Sequence, residues 1–171
     1  MPEESLLSGR MKPPDEPLDA SGLRFAIVAA RFNHEITERL VEGALECFTA
    51  SAASDVPVEW VPGSFELPLA ARALAETRGV DAVVALGAII RGGTPHFDFV
   101  ATETASGLMS AMLETGIPIS FGVLTTDDIE QAEARAGGEH GNKGWDAAAT
   151  AIEMARLMRR LEKPDEDAGT L

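Results

Sequence analysis

A chain of 171 residues with 45% hydrophobic and 25% charged side chains is long enough to bury one sizeable core, and its composition is that of an ordinary globular domain. Its formal charge of −14 excludes an extended nucleic-acid surface, because phosphate backbones demand clustered lysine and arginine, so an anionic small molecule must be held by local groups against the field of the whole protein. The single cysteine excludes an internal disulfide, no Cys/His cluster has metal-ligand spacing, and neither a signal-type apolar run nor a membrane span of ~20 apolar residues is present, so no membrane contact and a cytoplasmic location are expected.

Residues 1–21 hold four prolines and five acids with few large apolar groups, and read as a flexible N-terminal extension. Residues 22–162 read as one domain, and residues 163–171 as a flexible, acidic C-terminal tail. Leu23 to Ala30 is a nearly continuous apolar run, the pattern of a strand buried on both faces of a parallel sheet. It ends at Arg31-Phe32-Asn33-His34. A helix follows, with Ile36, Leu40, Val41, Ala44, Leu45 and Phe48 on one face; Cys47 falls within this pattern and reads as core filler rather than a nucleophile. Val56 to Val61 is a shorter strand, and its proline favours the edge of a sheet. Pro62-Gly63-Ser64 then turns into a helix that starts near Phe65 and reaches Gly79, with Pro68 in the first turn, where no intrahelical donor is lost.

Val83 to Leu86 is the third strand. It gives way to Arg91-Gly92-Gly93-Thr94-Pro95 and then to a helix with Asp98 in its first turn and a stripe of Ala101, Ala105, Leu108, Met109, Met112 and Leu113. Ile117 to Leu124 is the fourth strand. Asp127 and Glu130 resemble a capping arrangement for a short helix through Arg135. Ala136 to Gly144 reads as a turn, and a last helix with Ala147, Ala151, Met154, Met158 and Leu161 on one face runs to about Glu162.

Strands alternating with helices predict an α/β fold: a three-layer αβα sandwich whose four-stranded parallel sheet is flanked by helices in a flavodoxin-like topology. Ligands of such sheets lie outside the carboxyl ends of the strands. The turns expected there carry Phe32 and Asn33, Ser64 to Glu66, Gly92 to His96, and Thr125 onward. The glycine turn before a helix N-terminus leaves backbone N–H groups free for an anion, although the same pattern also serves as a plain strand-to-helix connection. An aromatic face, a hydroxyl, a carboxylate, an anion-binding turn and the His96 imidazole together suit a flat polar heterocycle beside a phosphate, with His96 moving protons near neutral pH. No serine or cysteine has a triad around it, and no pair of carboxylates suggests glycoside hydrolysis.

Arg31-Phe32-Asn33, Pro62-Gly-Ser-Phe-Glu-Leu-Pro68, Gly87-Ala-Ile-Ile-Arg-Gly-Gly-Thr-Pro-His-Phe-Asp98, Phe121-Gly-Val-Leu-Thr-Thr-Asp127 and Gly141-Asn-Lys-Gly144, in this order, resemble the signature of the 6,7-dimethyl-8-ribityllumazine synthases, transferases of riboflavin biosynthesis. The resemblance covers roughly Leu23 to Glu162. It implies condensation of 5-amino-6-(D-ribitylamino)uracil with 3,4-dihydroxy-2-butanone 4-phosphate, without a metal or organic cofactor. By the same resemblance Phe32 stacks on the pyrimidine, Ser64, Phe65 and Glu66 hold the ribityl chain, and the backbone of Ala88, Ile89 and Ile90 binds the uracil edge. Gly93, Thr94 and Arg135 take the phosphate, His96 shuttles protons with Asp98 orienting it, and Phe121 and Arg135 come from an adjacent subunit. Lys143 reads either as a ligand or as a salt-bridge partner, and Glu66 either as a ligand or as a support of its own helix turn.

The resemblance further implies pentamers, a 60-subunit icosahedral shell where the loop after Arg135 is short, as here, with a pentamer or decamer as the alternative assembly, and riboflavin synthase as a partner. Gly138-Glu139-His140 departs from the lysine the family often carries in that loop, which weakens local attraction for phosphate. A lumazine or flavin binder without turnover and a pure cage protein are the rival readings.

Overall fold

The computed structural model describes residues 11–163. Phe25–Ala30 forms strand β1, with all six residues buried. Its alternate side chains serve two different cores. Phe25, Ile27 and Ala29 point into one; Ala26, Val28 and Ala30 point into the other. A run with no polar face is what a strand covered by helices on both sides requires.

The other strands are β2 (Val58–Val61), β3 (Ala82–Ile90) and β4 (Ile119–Thr126), and the parallel sheet runs in the order β2-β1-β3-β4. The register sets Ala29 beside both Trp60 and Leu86, and Gly87 beside Val123. Helices α1 (His34–Ala50) and α5 (Lys143–Glu162) cover one face, α2 (Leu67–Thr77) and α3 (His96–Thr115) the other. This is the expected three-layer sandwich, and its strand order is that of the first four strands of the flavodoxin type. Pro57 enters β2 by accepting from Ile27 N at 2.9 Å, and β2 does lie at the sheet edge.

Burial of each large side chain in these cores contributes roughly 1.5–3 kcal/mol. Phe25 and Phe48 add a tilted ring pair with centroids 4.7 Å apart. Cys47 is fully buried in the same core, and desolvation pushes its thiol above the ordinary range, so it is a core residue.

The crossing of α1 and α5 is very close. A Cβ on Gly144 would strike the backbone carbonyl of Leu40, and one on Gly43 would strike the Asn142 side chain. Asn142 Oδ1 caps α5 by accepting from Gly144 N at 2.8 Å and Trp145 N at 3.3 Å, while its Nδ2 donates to Arg39 O at 2.9 Å. The run Gly141 to Gly144 therefore fixes how α5 leaves its loop and how it meets α1.

Several elements differ from the sequence expectation. β3 continues four residues past Leu86, because its glycine continues the ladder opposite Val123 instead of ending it. β4 starts two residues later than expected, since Pro118 has no N–H to give to the ladder, and ends two residues later because its pairing with β3 continues to Thr126 opposite Ile90. α4 (Ile129–Arg135) is capped by Asp128, whose Oδ1 accepts from Gln131 N at 2.8 Å, while Asp127 is drawn to Arg91. The expected turn after Arg135 is a hairpin of β5 (Ala136–Gly138) and β6 (Gly141–Asn142). On α3 the buried positions are Thr104, Leu108 and Ala111, whereas Met109 and Leu113 face outward.

Residues 1–10 of the expected extension and residues 164–171 of the expected tail lie outside the described residues. Of residues 11–21, Ala20 is buried and donates to Ser51 O at 2.7 Å, and Arg156 donates to the carbonyls of Asp19 and Ser21. No helix among the described residues is long and apolar enough to cross a membrane.

Candidate functional site

The chain leaves β1 in one direction to form β2, then crosses back to form β3 on the other side. At that reversal the loops following β1 and β3 part, which leaves a crevice beyond the strand ends. Backbone bonds hold its rim together: Arg31 N donates to Val61 O at 2.8 Å and Phe32 N to Pro62 O at 3.0 Å. Asn33 adopts a left-handed backbone, φ 57° and ψ 41°, a conformation asparagine tolerates better than most residues. Its Nδ2 donates to Ala88 O at 2.8 Å, which ties the β1 loop to the end of β3 and leaves Phe32 72% exposed on the rim.

The second wall follows β2. Ser64–Glu66 makes a 3₁₀ turn into α2, and Glu66 Oε2 accepts from Gly63 N at 3.0 Å, so one carboxylate oxygen supports the turn. Thr104 on α3 donates to Ser64 O at 3.2 Å. A Cβ on Gly87 would come within 2.6 Å of Ser64 Oγ, so the glycine inside β3 is what lets this turn settle against the sheet.

The result is a cleft of about 610 Å³ lined by Phe32, Ser64, Phe65, Glu66, Ala88, Ile89, Ile90, Thr94 and His96. Gly93 sits in the exposed turn between Gly92 and Thr94, with open space around it. His96 is the first residue of α3, and its N–H reaches Thr94 Oγ1 at 3.5 Å. Asp98 Oδ1 accepts from Arg91 Nη1 at 3.5 Å, and no hydrogen bond among the described residues joins Asp98 to His96.

Phe121, Arg135 and Lys143 lie elsewhere. They line a crevice of about 480 Å³ along β4, the edge strand at the far side of the sheet from β2. Arg135 Nη1 donates to Gln131 O at 3.0 Å, and no carboxylate among the described residues pairs with it. Lys143 Nζ meets Asp146 Oδ2 at 3.0 Å, the salt-bridge arrangement that is one of its two readings. Glu139 and His140 form the exposed tip between β5 and β6. The candidate residues thus fall into two groups: an aromatic cleft with an imidazole but no lysine or arginine in its lining, and an edge crevice that holds the cations.

A sequence profile of the 6,7-dimethyl-8-ribityllumazine synthases matches residues 22–159, which include the whole sheet and both groups of site residues. The chain belongs to the 6,7-dimethyl-8-ribityllumazine synthase family. Within this lumazine synthase family it is 53% identical over 146 residues to the protein of that name from Aquifex aeolicus, covering 84% of this chain and 95% of the relative. It is 57% identical over 148 residues to a Thermus thermophilus protein of the same name, covering 85% and 94%. The Syntrophus aciditrophicus lumazine synthase is 55% identical over 146 residues, covering 84% and 95%.

Cleft residues that sequence reasoning left without a role are Asn33, Phe97, Phe99 and Val100. Asn33 carried a readable signal, an asparagine at the junction of strand and helix where a left-handed residue is useful. Phe97, Phe99 and Val100 did not, because apolar residues in a helix's first turn suit a core equally well.

Proposed function

We propose that this chain condenses 5-amino-6-(D-ribitylamino)uracil with 3,4-dihydroxy-2-butanone 4-phosphate, releasing phosphate and water and forming 6,7-dimethyl-8-ribityllumazine. The observation that carries the reading is the cleft at the strand-order reversal, where the face of Phe32, the backbone of Ala88 to Ile90 and His96 share one space. A flat uracil stacks on Phe32 and bonds the ends of β3, and its ribityl chain runs toward Ser64, Phe65 and Glu66. The ketone phosphate lies against Gly93 and Thr94, where the positive end of the dipole of the 20-residue helix α3 attracts a dianion.

The uracil's free amine adds to the ketone and water leaves, giving an imine. A proton is then removed beside the imine and phosphate departs, after which the ribityl-bearing nitrogen closes the second ring with loss of water. His96 carries protons through these steps. Holding the two reactants side by side supplies much of the rate, since orientation contributes about 7–11 kcal/mol in favourable cases.

A phosphate dianion needs a cation, and the cleft lining contains no lysine or arginine. Arg135, free of carboxylates among the described residues and set in the β4 crevice with Phe121, supports a site completed by the edge of a second copy. The assembly in this reading is a pentamer, built into a 60-subunit shell because only two residues, Glu139 and His140, separate β5 from β6. The reaction is read as cytoplasmic, with riboflavin synthase acting on its product.

Mixing the two substrates with the protein is expected to generate the fluorescent lumazine. Binding without product instead favours the silent binder, and particles with neither favour the cage. Replacing His96 with alanine is expected to lower kcat by roughly 10²-fold, the low end of what a positioned proton carrier contributes, while assembly by light scattering is unchanged. Unaltered kinetics remove His96 from the mechanism.

A further inference from the structure

We propose that Arg91 is a positioning residue for His96 and the glycine turn, an inference that rests on the reaction proposed above. Arg91 is the first residue beyond β3, and its N–H donates to Thr126 O at 2.8 Å, so its backbone is fixed by the last rung between β3 and β4. Its side chain then reaches three groups at once. Nε donates to Asp127 Oδ1 at 2.9 Å, Nη1 approaches Asp98 Oδ1 at 3.5 Å, and the guanidinium lies 4.4 Å from the centre of the Phe97 ring.

Phe97, Val100 and Ala101 rest partly buried on the second core, but the turn before them has little else to hold it. Gly92 and Gly93 have no neighbour within 4 Å of where a Cβ would be, and the bonds within the turn are His96 N to Thr94 Oγ1 at 3.5 Å and Asp98 N to Pro95 O at 3.0 Å. The first buried residue of α3 is Thr104, two turns beyond His96. Phe97 and Asp98, the two α3 residues that Arg91 touches, directly follow the imidazole in sequence. Asp127 opens the loop into α4, which ends at Arg135. One guanidinium therefore joins the turn of the cleft to the loop that leads to the cation of the edge crevice.

Chemistry explains why arginine stands here. Its planar fork offers donors in two directions while its face stacks on an aromatic ring; a lysine ammonium keeps charge but not this geometry. Arg91, Asp98 and Asp127 are all well exposed, so the pairs contribute little to global stability. Placement of the imidazole is another matter, because a displacement of about 1 Å at a reacting group can cost about 10²-fold in rate.

The test measures kcat, both KM values and thermal melting for Arg91→Lys and Arg91→Met, each alone and combined with His96→Ala. Both single variants are expected to lose roughly tenfold in kcat, with KM for the uracil within about twofold and the melting temperature nearly unchanged. In the His96→Ala background, Arg91→Met is expected to cost less than about twofold more, because a residue acting through His96 has nothing left to position. Wild-type kcat in Arg91→Lys, losses that multiply in the double variant, or losses that track a fall in melting temperature each overturn the inference. Absence of turnover in the unsubstituted chain overturns the reaction itself, whereas turnover indifferent to Arg91 overturns this inference alone.

Discussion

Arg135→Ala is expected to raise KM for the phosphorylated ketone by about 10- to 10²-fold while KM for the uracil moves by less than about threefold. Charge-assisted bonds to a dianion are worth about 1.5–3 kcal/mol, and each 1.4 kcal/mol is tenfold in affinity. The cations nearest to the two groups of site residues are otherwise engaged. Lys143 is already engaged by Asp146, Arg91 by Asp127, and the hairpin tip next to Arg135 brings the carboxylate of Glu139. The overall charge of −14 opposes the dianion everywhere else. Arg135→Lys is expected to recover only part of the loss, since the planar fork is gone. Steady-state kinetics with each substrate varied in turn checks this; equal effects on both KM values place Arg135 outside the phosphate site.

The second large effect is structural. Gly144→Val is expected to destabilise the fold by roughly 3–5 kcal/mol, because the added carbons occupy the space of the Leu40 backbone carbonyl, which cannot move aside as a side-chain tip could. For a domain of this size that corresponds to a fall of about 10 °C or more in melting temperature. The conflict also bends α5 away from Asn142, whose cap and whose bond to Arg39 O depend on the same approach. Thermal melting followed by circular dichroism reads the result, and a variant melting within about 2 °C of the parent contradicts the close crossing.

These two cases show what the sequence exposes and what it conceals. β1 was legible because a strand covered on both faces has no polar alternation to blur it, and the edge position of β2 was legible from Pro57. The α3 stripe misleads where Met109 and Leu113 face out, since apolar spacing says that a face will be covered but not by which neighbour. The cap of α4 shifted by one residue because two adjacent aspartates are equivalent in one dimension. Only Arg91, 36 positions away, separates them by claiming Asp127.

That Phe32, Ser64 to Glu66, Thr94 and His96 line one cleft was legible for a similar reason: the short turns after parallel strands converge beyond the sheet, and their residues are visible as motifs. The division of those residues between a cleft and a separate crevice was not visible to residue patterns, because it depends on β4 being an edge strand of the sheet. Nor was the role of Arg91, whose three partners converge only after β3, α3 and the loop after β4 have packed.

The most direct test of a site shared between copies mixes two damaged chains. His96→Ala spoils the cleft and Arg135→Ala the crevice, and the two are dissociated together, reassembled at equal amounts and assayed for lumazine formation. If each site takes its cleft from one copy and its crevice from the next, roughly a quarter of the interfaces pair two intact halves, and the mixture becomes more active than either variant alone. Activity equal to the average of the two separate variants contradicts the shared site.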